Sequence, residues 1–139
     1  MTLTALLSGV FLLSAAPPAS GRDAAGLWRT PVDGGLVRIE RCGADLCGRV
    51  AGSPRLRAVP DQKDIRNRDP TLRERPIKGL LIFRLHPLSA GRWAGGTIYN
   101  PDDGGTYKAD LTMAPNGRIQ VRGCIVDPIC RTQTWTRAD

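Results

Sequence analysis

Five polar residues crowd one stretch of the chain: Asp64, Asn67, Asp69, Arg73 and Arg75. Carboxylates and guanidiniums at such spacing can form bidentate pairs. That gives them two uses, anchoring the loop that carries them or binding an anionic headgroup. A second group, Asp102-Asp103-Gly104 with Asn100 and Asp110, has the oxygen ligands that calcium takes. It lacks the repeated Asp-x-Asp-x-Asp-Gly spacing of a calcium loop, and Asn, Asp and Gly are also what a tight turn needs. The single histidine, His86, precedes a proline and has no Ser or Cys nucleophile setting beside it, so no hydrolytic triad is expected. Trp93, Tyr99 and Tyr107 are ring-bearing residues that alternation places on one face of two consecutive strands. They are candidates for contact with a ligand, or for ordinary core packing. No catalytic residue, metal site or cofactor is expected from these sets.

The 139 residues carry a formal charge of +7, and nearly all of the 20 cations are Arg. Such a balance draws a protein towards anionic partners, though charge alone specifies none. Nucleic acid is not expected, because the long basic loop has no aromatic residues to act as stacking platforms. Leu3 to Ala16 is an apolar run of the length of a secretory core and too short to cross a bilayer. Pro17-Pro-Ala-Ser-Gly21 follows, with small residues suited to a signal peptidase. A leader over 1–21, cleaved near Gly21, is therefore expected, although Met1 to Thr4 lacks the usual basic residue. A buried helix or a lipid anchor are the competing uses, and no Cys lies near the cleavage zone to carry lipid. One domain, 22–139, of about 118 residues remains, enough to bury roughly two-thirds of its unfolded surface. The mature chain is expected outside the cytoplasm, periplasmic or secreted, as a monomer without a stable membrane span.

The four cysteines fit an oxidising compartment. Cys42 and Cys47 flank Gly43-Ala-Asp-Leu46, and Cys124 and Cys130 flank Ile125-Val-Asp-Pro-Ile129. Disulfides Cys42–Cys47 and Cys124–Cys130 are the simplest of three connectivities. Zinc is the competing use, but thiolate sites favour closer spacing.

The elements that must position these residues read as strands. Gly26 to Thr30, Leu36 to Cys42, Cys47 to Ala51, Leu80 to Leu85, Gly91 to Tyr99, Thr106 to Met113, Arg118 to Cys124 and Cys130 to Arg137 are separated by turn chemistry, Asn116-Gly117 among it. His86-Pro87 is expected to end the fourth. Pro54 to Lys78 breaks the pattern, with eight cations against four anions, and is either a mobile surface loop or a cover over a barrel mouth. No helix is expected in the mature chain. About eight antiparallel strands in sequence form an up-and-down meander, and closing it into a barrel removes both edges.

Gly26-Leu-Trp28 in the first strand, with Arg137 in the last, resembles the Gly-x-Trp and closing-Arg arrangement of lipocalin-like, or calycin, barrels. More narrowly, the chain from Gly26 to Arg137 resembles the secreted bacterial family known as domain of unknown function 2147. The resemblance rests on Gly26-Leu-Trp28, Cys47-Gly48, Asn67-Arg-Asp-Pro with Leu72-Arg-Glu-Arg-Pro-Ile-Lys-Gly79, Trp93-Ala-Gly-Gly-Thr-Ile-Tyr-Asn-Pro101, Gly105-Thr-Tyr107 and Thr132-Gln-Thr-Trp135. It departs at Arg68, where the family tends to have Pro, and at Cys124, where it tends to have an aromatic. What it implies is a lipocalin-like barrel in which Trp28, Trp135 and Arg137 are structural and a guanidinium stacks on Trp28 at the closed end. The function expected is capture of a small, partly apolar or amphipathic ligand in the barrel mouth. An envelope protein that binds an anionic glycan, headgroup or protein through its basic loop is the alternative.

Overall fold

The computed structural model describes residues 9–13 and 23–139. The expected leader and its cleavage site near Gly21 lie for the most part outside the described residues. Eight strands follow one another: β1 Gly26–Arg29, β2 Leu36–Cys42, β3 Asp45–Gly52, β4 Leu81–Ser89, β5 Arg92–Asn100, β6 Gly105–Met113, β7 Ile119–Val126 and β8 Ile129–Arg137. Each pairs antiparallel with its neighbour, and β1 pairs with β8 through Trp28↔Arg137 and Arg29↔Thr136, so the barrel is closed. Closure leaves no open sheet edge, which suits strands that are apolar on only one face.

Inward-facing side chains fill one end of the barrel. Trp28, Ile39, Leu46, Leu85, Leu111 and Ile119 have almost no exposed surface. The Trp28 indole donates to the Ala24 carbonyl at 2.8 Å, and the Arg137 guanidinium lies 4.4 Å over its ring. Arg137 also donates to the carbonyls of Ala25 and Asp23, so one cation closes the floor by stacking and by binding the chain that crosses it. Gly26, at φ 138°, sits where any side chain would meet that guanidinium, which is why glycine stands two residues before the tryptophan. Both disulfides form, Cys42–Cys47 and Cys124–Cys130, each fastening one hairpin.

Two local expectations are corrected, and one left open is narrowed. β4 does not stop at His86-Pro87 but runs to Ser89, with Pro87 paired to Trp93 beside a register shift, the kind of irregularity that tolerates a missing N–H. The span after β3 is not free of helix: α1, Pro54–Ala58, is capped by the Ser53 hydroxyl accepting from the Leu56 N–H, and Pro70–Leu72 forms a 3₁₀ turn. Ser followed by Pro at the first helical position is a helix start that the strand pattern obscured. Of the two uses left open for the stretch from 54 to 78, a mobile loop or a cover, its backbone pairing favours the cover. The Ile77 N–H donates to the Gln62 carbonyl and the Asp64 N–H to the Arg75 carbonyl, making a small hairpin around the Lys63↔Pro76 bridge. The Gly79 N–H and the Leu80 carbonyl then tie it back to Val50 in β3. Among the described residues no helix is long and apolar enough to cross a membrane.

Removing the floor ring tests this packing. Trp28→Ala is expected to cost about 3–5 kcal/mol in denaturant unfolding, by opening a cavity and releasing Arg137. A midpoint equal to that of the unsubstituted protein contradicts the placement.

Candidate functional site

Above the filled end lies a cavity of about 1330 Å³. Val37, Val50, Ile82, Ile98, Val121 and Trp135 form its apolar wall, and Leu56, Ile65 and Ile77 contribute from the roof made by residues 54 to 78. The turns after β1 and β5, with the end of β7 and the start of β8, complete the mouth.

The cavity exists because of where the strand parity falls. Trp93 pairs with Leu111, but the next pair is Gly96↔Ala109, one residue longer on β5 than on β6. This bulge reverses the parity of everything beyond it. Trp93 therefore packs in the buried core below the cavity and does not border it. The expected shared face of Trp93 and Tyr99 is broken: Ile98 takes the inward place opposite Tyr107, and Tyr99 pairs with Thr106. Gly95 lies within the bulge, its missing side chain directed at His86 rather than at a ligand. Tyr99 and Tyr107 both border the mouth.

The polar residues singled out in the loop are brought together. Asp64 has no exposed surface and accepts three hydrogen bonds, from the Tyr99 hydroxyl at 2.5 Å, Asn67 Nδ2 at 2.9 Å and Arg75 Nε at 2.9 Å. The Arg75 guanidinium also lies 5.2 Å over the Tyr99 ring. Burial acts to raise the Asp64 pKa, but the three donors together hold it below the ordinary 3.8. Burial first, and then the bond to Asp64, push the Tyr99 phenol up to about 12. Asn67 accepts the Asp69 N–H with its side chain and the Arg73 Nε with its carbonyl, and Asp69 caps the 3₁₀ turn by accepting from the Thr71 N–H and hydroxyl. In all five residues a polar side-chain atom is engaged in holding the roof to itself and to β5.

The Asp102-Asp103-Gly104 group is similarly occupied. Asn100 Oδ1 accepts the Asp102 N–H, and Asp103 accepts the Gly105 N–H and the Tyr107 hydroxyl, both at 2.6 Å. That bond to Asp103 is the main cause raising the Tyr107 pKa. Gly104, at φ 70°, lies flat against the Arg66 carbonyl, where a side chain has no space. The Arg66 side chain meanwhile donates to the Asp102 carbonyl at 2.7 Å, so the β5–β6 turn is also stitched to the roof. His86 and Arg84 both contact the Asp45 carboxylate, at 2.8 and 2.7 Å, outside the cavity. The Arg84 bond is the larger cause lowering the Asp45 pKa.

A graded wall along β8 was not anticipated. Trp135, Gln133, Arg131 and Ile129 all border the cavity, as does Cys130 near the start of the strand, whereas Thr132 and Thr134 do not. The ladder partners of the first four on β7 are Ile119, Val121, Gly123 and, past an irregularity, Val126. Passing outward, the wall reads buried indole, half-buried amide, exposed guanidinium, exposed aliphatic. Gln133 Oε1 accepts the Trp135 indole N–H at 3.0 Å, which fixes the amide and leaves its NH₂ available. Among the described residues Arg131 forms no ion pair. Gly123 leaves the wall bare, with a Cβ placed there only 3.5 Å from Tyr107 Cβ and 3.7 Å from Ile98 Cγ2, ordinary contacts. The signal was present in the sequence: once Trp135 points inward, Gln133 and Arg131 must do so as well.

A family model described as "Uncharacterized protein conserved in bacteria (DUF2147)" matches residues 26–137. A solved structure titled "Protein HP1028 from the human pathogen Helicobacter pylori belongs to the lipocalin family" is similar in fold, with a TM-score of 0.75 at 22% sequence identity over 84% of each chain. No curated protein matches the sequence.

The Asp64 cluster sets a pH dependence. A depressed carboxylate pKa gives stability that is complete above 3.8 and is lost as the pH falls through the lower folded value. A raised phenol pKa contributes below 10.0 and is lost as the pH rises through about 12. An ultraviolet titration is expected to show Tyr99 ionising near 12 and not near 10.0. Asp64→Ala, which strands three donors, is expected to lower stability by about 3 kcal/mol in chemical unfolding. Ionisation of Tyr99 at the ordinary value, or an Asp64→Ala protein as stable as the unsubstituted one, contradicts the arrangement.

Proposed function

The chain belongs to the DUF2147 family and has a lipocalin-like barrel, and from that premise we propose that it is an extracytoplasmic binding protein that takes one small amphipathic molecule into the barrel. The observation that carries this reading is the cavity itself, about 1330 Å³ behind an apolar wall, with polarity rising towards the mouth along β8. Sites for small molecules are concave, mostly apolar and supplied with a few convergent polar groups. Here the apolar part of a ligand lies against Trp135, Val121, Ile98 and Ile82. An anionic or strongly polar end meets the Gln133 amide and the Arg131 guanidinium. The two disulfides support an oxidising compartment, and a secreted or periplasmic location is part of the same proposal. In this proposal the protein acts as a carrier or sensor of its ligand. Monomeric function is sufficient, because the cavity is complete within one chain.

The test uses probe binding to purified protein. An anionic fluorescent naphthalene sulfonate and an uncharged apolar dye are both expected to bind. Arg131→Ala removes a charge-assisted contact and is expected to weaken the anionic probe about ten-fold while leaving the neutral one nearly unchanged. Gly123→Leu places its branch in the cavity and is expected to weaken both about ten-fold or more without lowering the unfolding temperature. If neither probe binds, or if Gly123→Leu binds both as the unsubstituted protein does, the cavity is not a ligand site.

A further inference from the structure

The rim of the cavity is apolar where a surface that only ever meets water has no reason to be. Val32 in the β1–β2 turn, Ile65 in the roof, and Ile125 and Ile129 at the β7–β8 hairpin all border the mouth. They are 52, 68, 68 and 60% exposed, and Val126, the ladder partner of Ile129, is 56% exposed. Single exposed aliphatic residues are ordinary, but four from three separate parts of the chain bordering one opening, with Val126 paired to one of them, form a patch.

The surroundings of the patch are basic. The roof has eight cations against four anions, and two of the anions are occupied: Asp64 is buried under Tyr99 and Arg75, and Glu74 pairs with Lys63 at 2.8 Å. Among the described residues Arg55, Arg57, Arg66, Arg68 and Lys78 of the roof form no ion pair, and Arg55 and Arg66 border the mouth together with Arg131. Asp33, Asp102 and Asp103 border it too, and Asp103 is bound to Tyr107 and to the Gly105 N–H. A second copy of the chain on this rim sets two molecules of charge +7 face to face and seals both mouths. An anionic bilayer answers both features, since aliphatic side chains enter its headgroup boundary while Lys and Arg meet its charge.

We propose that the open end of the barrel docks on an anionic lipid surface, with Val32, Ile65, Ile125, Val126 and Ile129 entering the interface and the roof arginines flanking them. Docking stands without the binding reading. Joined to that reading, on which this second step rests, it makes the membrane the source or destination of the ligand, which passes between lipid and cavity without crossing water.

Co-sedimentation with vesicles tests the docking. The protein as it exists after removal of any leader is expected to sediment with vesicles of phosphatidylcholine and phosphatidylglycerol, weakly with phosphatidylcholine alone, and less as salt rises from about 0.05 M to about 0.5 M. Ile65→Ser with Ile125→Ser and Ile129→Ser is expected to lower the partition about ten-fold or more, with an unchanged unfolding temperature. Arg55→Glu with Arg57→Glu is expected to lower it about ten-fold for the anionic vesicles alone. Absence of sedimentation, equal binding to neutral vesicles, or a triple serine variant that binds as before overturns the proposal. So does a dimer in sedimentation velocity that the serine substitutions dissolve, which assigns the rim to a second copy. Vesicle binding with no dye uptake leaves docking in place and removes only the cavity reading.

Discussion

A carboxylate without contact with water costs several kcal/mol unless its surroundings replace the lost hydration. Asp64 is such a group, and Tyr99, Asn67 and Arg75 replace that hydration with three hydrogen bonds. Tyr99 belongs to β5, while Asn67 and Arg75 belong to the roof, so satisfying this one charge joins the 54-to-78 excursion to the barrel wall. A long insertion between two strands has little intrinsic reason to hold a shape. The buried charge makes the loosened state the expensive one, and the roof stays over the mouth.

From this follows the division of the barrel. The filled end is held by Trp28 and Arg137, which close the floor through stacking and through the carbonyls of the crossing N-terminal segment. The other end stays hollow because the β5 bulge puts the smaller Ile98 in the inward row in place of Tyr99, and because β7 offers only Gly123 beside it. Roof, bulge and floor thus act on one another. The floor supplies stability that does not depend on filling the mouth, and the roof covers a volume that the wall residues leave unfilled.

Much of the barrel was legible in the sequence. Strand count, order, the within-hairpin disulfides and the family resemblance through Gly26-Leu-Trp28 and Thr132-Gln-Thr-Trp135 all correspond to what is observed. Each is a local signal: alternation, a turn residue, a cysteine spacing. The site was less legible because it depends on non-local pairing. Simple alternation put Trp93, Tyr99 and Tyr107 on one face, and only the register against β6 reveals the extra residue that separates them. The helix at Pro54–Ala58 was hidden because five residues carry no periodicity, although Ser53-Pro54 is a start signal. The aliphatic rim is drawn from turns distant in sequence, so no window of the chain contains it. Arg131 and Gln133 could have been read from the parity of Trp135, had the depth of that strand been followed outward.

The central claim is that the hollow end of the barrel holds an amphipathic small molecule. Native mass spectrometry of the protein purified gently from the envelope of its own cells tests this most directly. A population heavier than the disulfide-bonded polypeptide by one discrete small-molecule mass, which leaves on collisional activation and proves on fragmentation to have an apolar body with one polar or anionic end, is the expected result. A single mass equal to the bare polypeptide, unchanged when lipid extract of the same envelope is added back, contradicts it.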